Sequence, residues 1–143
     1  MTRIILTVMA LLWAGAAHAQ MTPVGLWRSI DDATGEAKAE IRITANAAGV
    51  LSGRIERALV TSGEPLCTRC TDDRKDRPKI GMEIIRNVRK AADKLVWEDG
   101  EVLDPDNGST YTLRLTPIEG GAKLEVRGSL LFFFRTQTWL RVQ

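Results

Sequence analysis

The chain has 143 residues, of which 44% are hydrophobic, and this length is sufficient for one domain with a core of its own. Its 20 Lys and Arg residues are nearly balanced by 18 Asp and Glu residues. So small a net charge excludes the strongly basic surface by which proteins recognise nucleic acids or anionic membranes through charge alone.

The first 19 residues have the pattern of a secretory signal peptide. Arg3 precedes an apolar run over residues 4–16, and Ala17-His18-Ala19 is a small-x-small cleavage site. We therefore expect a signal peptide at 1–19 and one mature domain at 20–143, located in the periplasm or secreted. An uncleaved anchor is the alternative, but the apolar run is short for a bilayer span, so no integral membrane protein is expected.

Removal of the leader leaves little recognisable catalytic chemistry. The only histidine, His18, and one basic residue, Arg3, are lost, so the mature chain has no imidazole and a net charge of +1. The chain contains no Gly-x-Ser-x-Gly motif, no phosphate-binding loop and no dinucleotide fingerprint. The sequence predicts no catalytic residue, no enzyme and no cofactor.

Most of the mature chain alternates apolar and polar residues with the period of two that is typical of β-strands. In its first part, this pattern predicts strands at residues 24–30, 39–44 and 51–56, joined by turns at 31–35 and 46–49. Residues 61–79 interrupt the pattern with both cysteines, two prolines and many charges. This segment is the longest predicted irregular region, which is typical of a functional loop or of a plain insertion.

The second part of the chain returns to the strand pattern. Residues 80–88 predict a strand or a short helix, and 95–97 and 101–103 predict two brief strands separated by a turn at Glu98-Asp99-Gly100. Further strands are predicted at residues 110–115, 124–127 and 136–142, with a strong turn at 104–108 and an apolar segment at 130–134. Eight to ten short strands predict an all-β up-and-down barrel or a sandwich.

Two resemblances support the barrel. Gly25-Leu26-Trp27, with an Arg near the end of the chain, resembles the opening of the first strand in lipocalins and other calycins. In that superfamily an Arg of the last strand stacks on the Trp, which is worth about 0.5–2 kcal/mol. The resemblance implies that Gly25, Trp27 and Arg141 form a barrel signature, with Arg135 as the alternative arginine.

The closer resemblance is to the DUF2147 family of small exported bacterial proteins, and it covers nearly the whole mature chain. The matching motifs are Gly25-Leu26-Trp27, Asp31, Thr34-Gly35, Gly53-Arg54-Ile55, Cys67-Thr68-Arg69-Cys70, Pro78, Gly81, Trp97, Gly100, residues 103–111, residues 124–128 and residues 135–141. The chain departs from the family pattern at Phe132–Phe134, where a Gly beside Arg135 is expected. The resemblance implies a lipocalin-like barrel outside the cytoplasm and no particular reaction.

The Cys67-x-x-Cys70 pair allows three interpretations. A structural disulfide fits an oxidising compartment and would contribute about 2 kcal/mol for so short a loop. A redox dithiol lacks the usual βαβ context, and a metal site lacks further Cys or His ligands, so no metal is predicted. Clustered carboxylates could form an acid/base pair but fit turns and solvated side chains better: Glu98, Asp99, Glu101 and Asp104. Asp104, Asp106 and Asn107 with Gly108 likewise fit a turn better than a calcium loop, because the ligand spacing fails.

These observations favour a non-enzymatic binding protein of the bacterial cell envelope that holds a small apolar ligand in its barrel. The side chains predicted to face the ligand are Ile41, Ile43, Trp97, Tyr111, Leu113, Leu115 and Val126. The alternative is a solid-cored interaction module that acts through the Cys loop and the Phe strand, and a thiol redox protein is a third hypothesis. Strand alternation also places at least one ring of Phe132–Phe134 on the outer face, against a partner, a lipid or the Cys loop.

Overall fold

The computed structural model describes residues 21–60 and 63–143, so the predicted signal peptide lies outside the described residues. Eight antiparallel strands form a closed barrel in which each strand pairs with its neighbour in the chain and the last strand pairs with the first. The predicted all-β up-and-down barrel is confirmed. The strands are β1 (Gly25–Ile30), β2 (Ala37–Ala45), β3 (Leu51–Ala58), β4 (Glu83–Lys90), β5 (Trp97–Leu103), β6 (Thr110–Ile118), β7 (Lys123–Leu130) and β8 (Phe133–Arg141).

The prediction of a turn at Glu98-Asp99-Gly100 was wrong, because these residues lie inside β5. The reversal comes earlier, where the backbone amide of Ala91 donates to the carbonyl of Val96 at 2.8 Å. Asp99 has a φ of 67°, and the register between β5 and β6 shifts between Trp97 and Gly100. The Asp-Gly pair therefore forms a β-bulge in a continuous strand, where Gly100 leaves room for the carbonyl oxygen of Arg86.

Other strand boundaries also differ from the pattern. Residues 83–90 form a strand and not the alternative short helix. The apolar segment at 130–134 is divided between the end of β7 and the start of β8, so it forms the tip of a hairpin. Among the residues that the structure describes, no helix has the length and apolar character needed to cross a bilayer.

The closed end of the barrel is built around Trp27, which is fully buried. The guanidinium carbon of Arg141 lies 4.2 Å from the centroid of the Trp27 ring, and the indole Nε1 donates to the carbonyl of Pro23 at 2.7 Å. Arg141, and not the alternative Arg135, is thus the arginine of the barrel signature. Burial lowers the pKa of Arg141 below its usual value, and backbone carbonyls accept hydrogen bonds from its charged group.

Arg141 also completes the seam between β1 and β8, which consists of two residue pairs, Trp27 with Arg141 and Arg28 with Leu140, and of backbone hydrogen bonds between Leu26 and residues 142–143. Within the described part of the chain, its guanidinium donates to the carbonyl oxygens of Thr22, Val24, Gly121 and Gln143. Gly25 has a φ of +142°, and a Cβ there would lie 2.5 Å from both Arg141 Nη1 and the Gln143 carbonyl oxygen. Glycine is required at this position because the arginine passes directly over the backbone.

Replacing Arg141 with Ala should destabilise the barrel by about 2–4 kcal/mol, because both the stacking and the hydrogen bonds to the seam are lost. Urea unfolding followed by Trp fluorescence measures this change. Arg89→Ala is the matched control, because Arg89 is exposed on β4 and should change stability by less than about 0.5 kcal/mol. Equal effects of the two substitutions would contradict the role assigned to Arg141.

Candidate ligand-binding site

A cavity of about 980 Å³ opens at the end of the barrel opposite Trp27. The loops at this end join β1 to β2, β3 to β4, β5 to β6 and β7 to β8, and we call it the mouth. The loops that join β2 to β3, β4 to β5 and β6 to β7 lie at the closed end. The barrel is therefore filled by side chains at the closed end and contains a cavity that opens at the mouth.

Every strand contributes to the wall of the cavity. The side chains that face it include Ser29 of β1, Ile41 of β2, Ile55 of β3, Ile84 of β4, Val102 of β5, Tyr111 of β6, Val126 of β7 and Trp139 of β8. Five of these eight side chains are aliphatic and one, Trp139, is an indole, whereas Ser29 and Tyr111 carry hydroxyl groups. The wall is therefore mostly apolar. A cavity of this size and lining suits a small organic molecule.

The structure separates the predicted ligand residues into two groups. Ile41, Tyr111 and Val126 line the cavity. The remaining four, Ile43, Trp97, Leu113 and Leu115, are buried in the hydrophobic core and do not line it. Strand alternation predicted that these side chains point inward, but not how far each lies from the mouth.

A polar stripe along the inner face of β8 was not predicted. Trp139 Nε1 donates to Gln137 Oε1 at 2.9 Å, and Arg135 Nε donates to Asp32 Oδ1 at 2.6 Å. Arg135, Gln137 and Trp139 all line the cavity, together with Asp31 of the first turn. The site therefore combines an apolar wall with a hydrogen-bonding stripe that carries a guanidinium near the entrance.

The two acidic residues of the first turn hold Arg135 in place. The hydrogen bond from Arg135 lowers the pKa of Asp32, and the backbone amides of Thr34 and Ala33 lower the pKa of Asp31. The same contact with Asp32 raises the pKa of Arg135. The alternation of residues 135, 137, 139 and 141 is the signal that could have found this stripe, because the resemblance already predicted that Arg141 stacks on Trp27.

The Cys loop, which we define as residues 63–82, covers part of the mouth. Its residues Leu66, Thr68 and Arg69 line the cavity. The predicted disulfide is confirmed, since Cys67 and Cys70 are bonded to each other and both are fully buried. The redox hypothesis requires an accessible disulfide, so this burial favours a structural role.

The Cys loop packs on the turn that joins β5 to β6. Cys67 Sγ lies 3.4 Å from the carbonyl oxygen of Pro105, and Lys79 Nζ lies 3.0 Å from Asp106 Oδ1. Gly108 has a φ of +75°, and its α-carbon meets the backbone of Arg69 so closely that a Cβ would overlap the Arg69 carbonyl. The two motifs that are most conspicuous in the sequence are therefore one structural unit at the mouth.

A buried arginine fixes the other side of the Cys loop to the barrel. Arg74 donates through Nη1 to the carbonyl of Glu83 at 2.9 Å and forms an ion pair with Asp72 at 2.5 Å. Arg86 of β4 adds a pair with Asp73 at 2.9 Å. The hydrogen bond from Arg74 lowers the pKa of Asp72 to about 2. Asp72, Asp73 and Arg74 of this charged segment thus form ion pairs within the protein, and these pairs order the loop.

Comparison with known proteins assigns the chain to a family. A family model described as "Uncharacterized protein conserved in bacteria (DUF2147)" matches residues 25–141. The chain belongs to this family. No curated protein matches it.

Among solved structures, the barrel is similar to protein HP1028 of Helicobacter pylori, which is described as belonging to the lipocalin family. The TM-score is 0.72 at 15% sequence identity, and the match covers 87% of this chain and 85% of that chain. At this identity the likeness shows the fold alone. The lipocalin-like barrel expected from the sequence is confirmed.

Gly108→Ala should weaken the contact between the Cys loop and the mouth. We expect a loss of stability that exceeds that of Gly35→Ala by about 1–3 kcal/mol, because the new methyl group overlaps the Arg69 backbone. Gly35 is the matched control, since its φ of +72° imposes similar strain and a Cβ there has no neighbour within 4 Å. Thermal unfolding measures both variants, and equal losses would show that the contact contributes nothing.

The Asp72–Arg74 pair should make stability depend on pH. The pKa of Asp72 is lower in the folded than in the unfolded protein. The ionised carboxylate therefore stabilises the folded state fully above about pH 4, and this stabilisation disappears as the pH falls through about 2. We expect Asp72→Asn to destabilise the protein at pH 7, and the difference from wild type to shrink towards pH 2. Urea unfolding at pH 7, 4 and 2 tests this, and a difference that does not change with pH would disprove it.

Proposed function

We propose that this protein is an exported binding protein of the bacterial cell envelope that holds a small, mostly apolar ligand in its barrel and catalyses no reaction. The observation that carries the proposal is the cavity of about 980 Å³, which all eight strands line and which one end of the barrel leaves open. A barrel needed only for its surface would gain stability by filling this space with side chains.

The lining indicates what kind of ligand fits. Ile41, Ile55 and Ile84 supply an apolar surface for the body of the molecule. Arg135 and Gln137 of β8 also line the cavity and supply hydrogen-bond donors towards the entrance. A ligand with an apolar body and one polar or acidic end would suit both surfaces. The Arg135 guanidinium is paired with Asp31 and Asp32, but it has five N–H groups and its side chain is 53% exposed, so it can also donate to a ligand.

The proposed location rests on three features that agree. The pattern at residues 1–19 is typical of an export signal, a disulfide is stable in an oxidising compartment, and the chain belongs to a family described as conserved in bacteria. The mass of the denatured protein tests the first of these. A mature chain that begins at Gln20 supports export, whereas a full-length chain of 143 residues recovered from the cytoplasm would refute it.

Native mass spectrometry of the protein purified from its own host tests the binding function. We expect an additional small mass that is released on denaturation. Ala39→Phe should reduce the bound fraction about tenfold or more, because Ala39 lines the cavity and a phenyl ring there occupies the ligand's space.

The control for this experiment is Ala47→Phe, which adds the same ring to the exposed turn between β2 and β3 at the closed end. It should retain the ligand at the wild-type level. If both variants lose the extra mass, or if the wild type never carries one and binds no fatty acid, sterol or quinone added to it, the binding function is wrong.

The second candidate function is an envelope interaction module that acts through its surface. The exposure of Phe132, Phe133 and Phe134 at the tip of the β7–β8 hairpin favours it. The two functions are compatible, because the hairpin and the cavity are at the same end of the barrel. They are distinguished by Ala39→Phe, which fills the cavity and leaves the hairpin unchanged.

A further inference from the structure

The tip of the β7–β8 hairpin, residues 130–134, exposes five consecutive apolar side chains. The exposed fractions are 89% for Leu131, 98% for Phe132 and 79% for Phe133, and Leu130 and Phe134 are also exposed. The three phenylalanine rings alone present roughly 500 Å² to solvent, taking about 200 Å² for each ring. The largest apolar patch on a typical monomer is about 300–600 Å² and is often functional.

The structure of the hairpin itself does not require these residues. Leu131 has a φ of +54°, in the left-handed region that Asn and Gly adopt at lower cost in a two-residue turn. Neither Leu131 nor Phe132 packs on the rest of the protein, as their exposure shows. Only the first residue of the two-residue turn has a positive φ, so a Gly-Asn tip would fold at least as well and be more soluble. The apolar side chains are therefore explained by a contact outside the chain.

The shape and size of the tip favour a lipid surface over a second copy of the protein. The tip is the end of one hairpin, and its five side chains together expose roughly 700 Å². A stable protein interface usually buries about 800 Å² on each partner, so even complete burial of the tip would not reach that area. A bilayer needs no matching socket, because its interface accepts apolar groups to a depth of about 5–10 Å. Two residues of a strand span about 7 Å, so Leu131 to Phe134 would fill this depth.

Arg127 is placed to meet the lipid headgroups. It lies on the outer face of β7, and its guanidinium carbon is 4.0 Å from the centroid of the Phe134 ring. Within residues 21–60 and 63–143, Arg127 forms no ion pair, whereas Arg135, on the inner face, is paired with Asp32. An unpaired cation directly behind inserted aromatic rings is the arrangement in which arginine reaches the phosphates of a bilayer.

From these observations we propose that residues 130–134 insert into the surface of a phospholipid bilayer and hold the mouth of the barrel against it. The insertion is driven by apolar side chains, in agreement with the low net charge of the chain. The proposal does not depend on the ligand-binding function, because the hairpin and the cavity can be altered separately.

Flotation with vesicles tests the proposal. The protein, with its mass checked for loss of residues 1–19, is mixed with vesicles of phosphatidylcholine alone or of phosphatidylethanolamine and phosphatidylglycerol, and then separated on a density gradient. We expect the wild type to float with both kinds of vesicle at high salt. The double variant Phe132→Ser, Phe133→Ser should float at least about tenfold less, since two buried rings are lost.

Two further variants make the test specific. Leu95→Ser removes a half-exposed apolar residue from the loop between β4 and β5 at the closed end, and it should float like the wild type. In Phe132→Trp, the fluorescence of the new indole should shift to shorter wavelength when vesicles are added, and lipids brominated on their acyl chains should quench it.

Three outcomes would overturn the proposal. The first is a wild type that floats with neither kind of vesicle, and the second is a double Ser variant that floats as well as the wild type. The third is a dimer, seen by sedimentation equilibrium without any flotation and abolished by the double Ser variant. That result would assign the tip to self-association.

Discussion

The packing of Arg141 across Trp27 is the contact on which the rest of the barrel depends. A sheet closes into a barrel only if its first and last strands pair, and here β1 and β8 share two residue pairs and the backbone hydrogen bonds between Leu26 and residues 142–143. Arg141 compensates for so short a seam by donating to carbonyls before β1, after β6 and at the end of the chain. Its position in turn requires the absence of a side chain at Gly25.

Closure at one end explains why the other end can be open. The large buried side chains Ile43, Leu115 and Leu124 fill the barrel beside Trp27, so stability does not require a filled mouth. At the mouth, polar and covalent links replace hydrophobic packing. The disulfide, the Lys79–Asp106 pair and the buried Arg74 hold the Cys loop over the entrance without occupying the cavity.

The mouth brings three features together within one end of a small protein. These are a cavity with an apolar wall, a polar stripe on β8 that ends at Arg135, and an exposed apolar hairpin tip. If the tip rests in a bilayer, the entrance to the cavity faces the lipid phase, where small apolar molecules are most concentrated. The proposed ligand and the proposed membrane contact are then two parts of one function, in which molecules pass between a lipid surface and the barrel.

The sequence by itself determined the features that depend on local pattern. Alternation of side chains along a strand identified the all-β class, most strand positions and the inward direction of Ile41, Tyr111 and Val126. Motif resemblance identified the family and the roles of Gly25, Trp27 and Arg141. The tertiary structure alone decided what depends on residues far apart in the chain: the bulge at Asp99-Gly100, the docking of Gly108 on Arg69 and the line between packed core and open cavity. Strand periodicity is a property of neighbouring residues, whereas register and depth in a barrel are set by hydrogen bonds and contacts between different strands and loops.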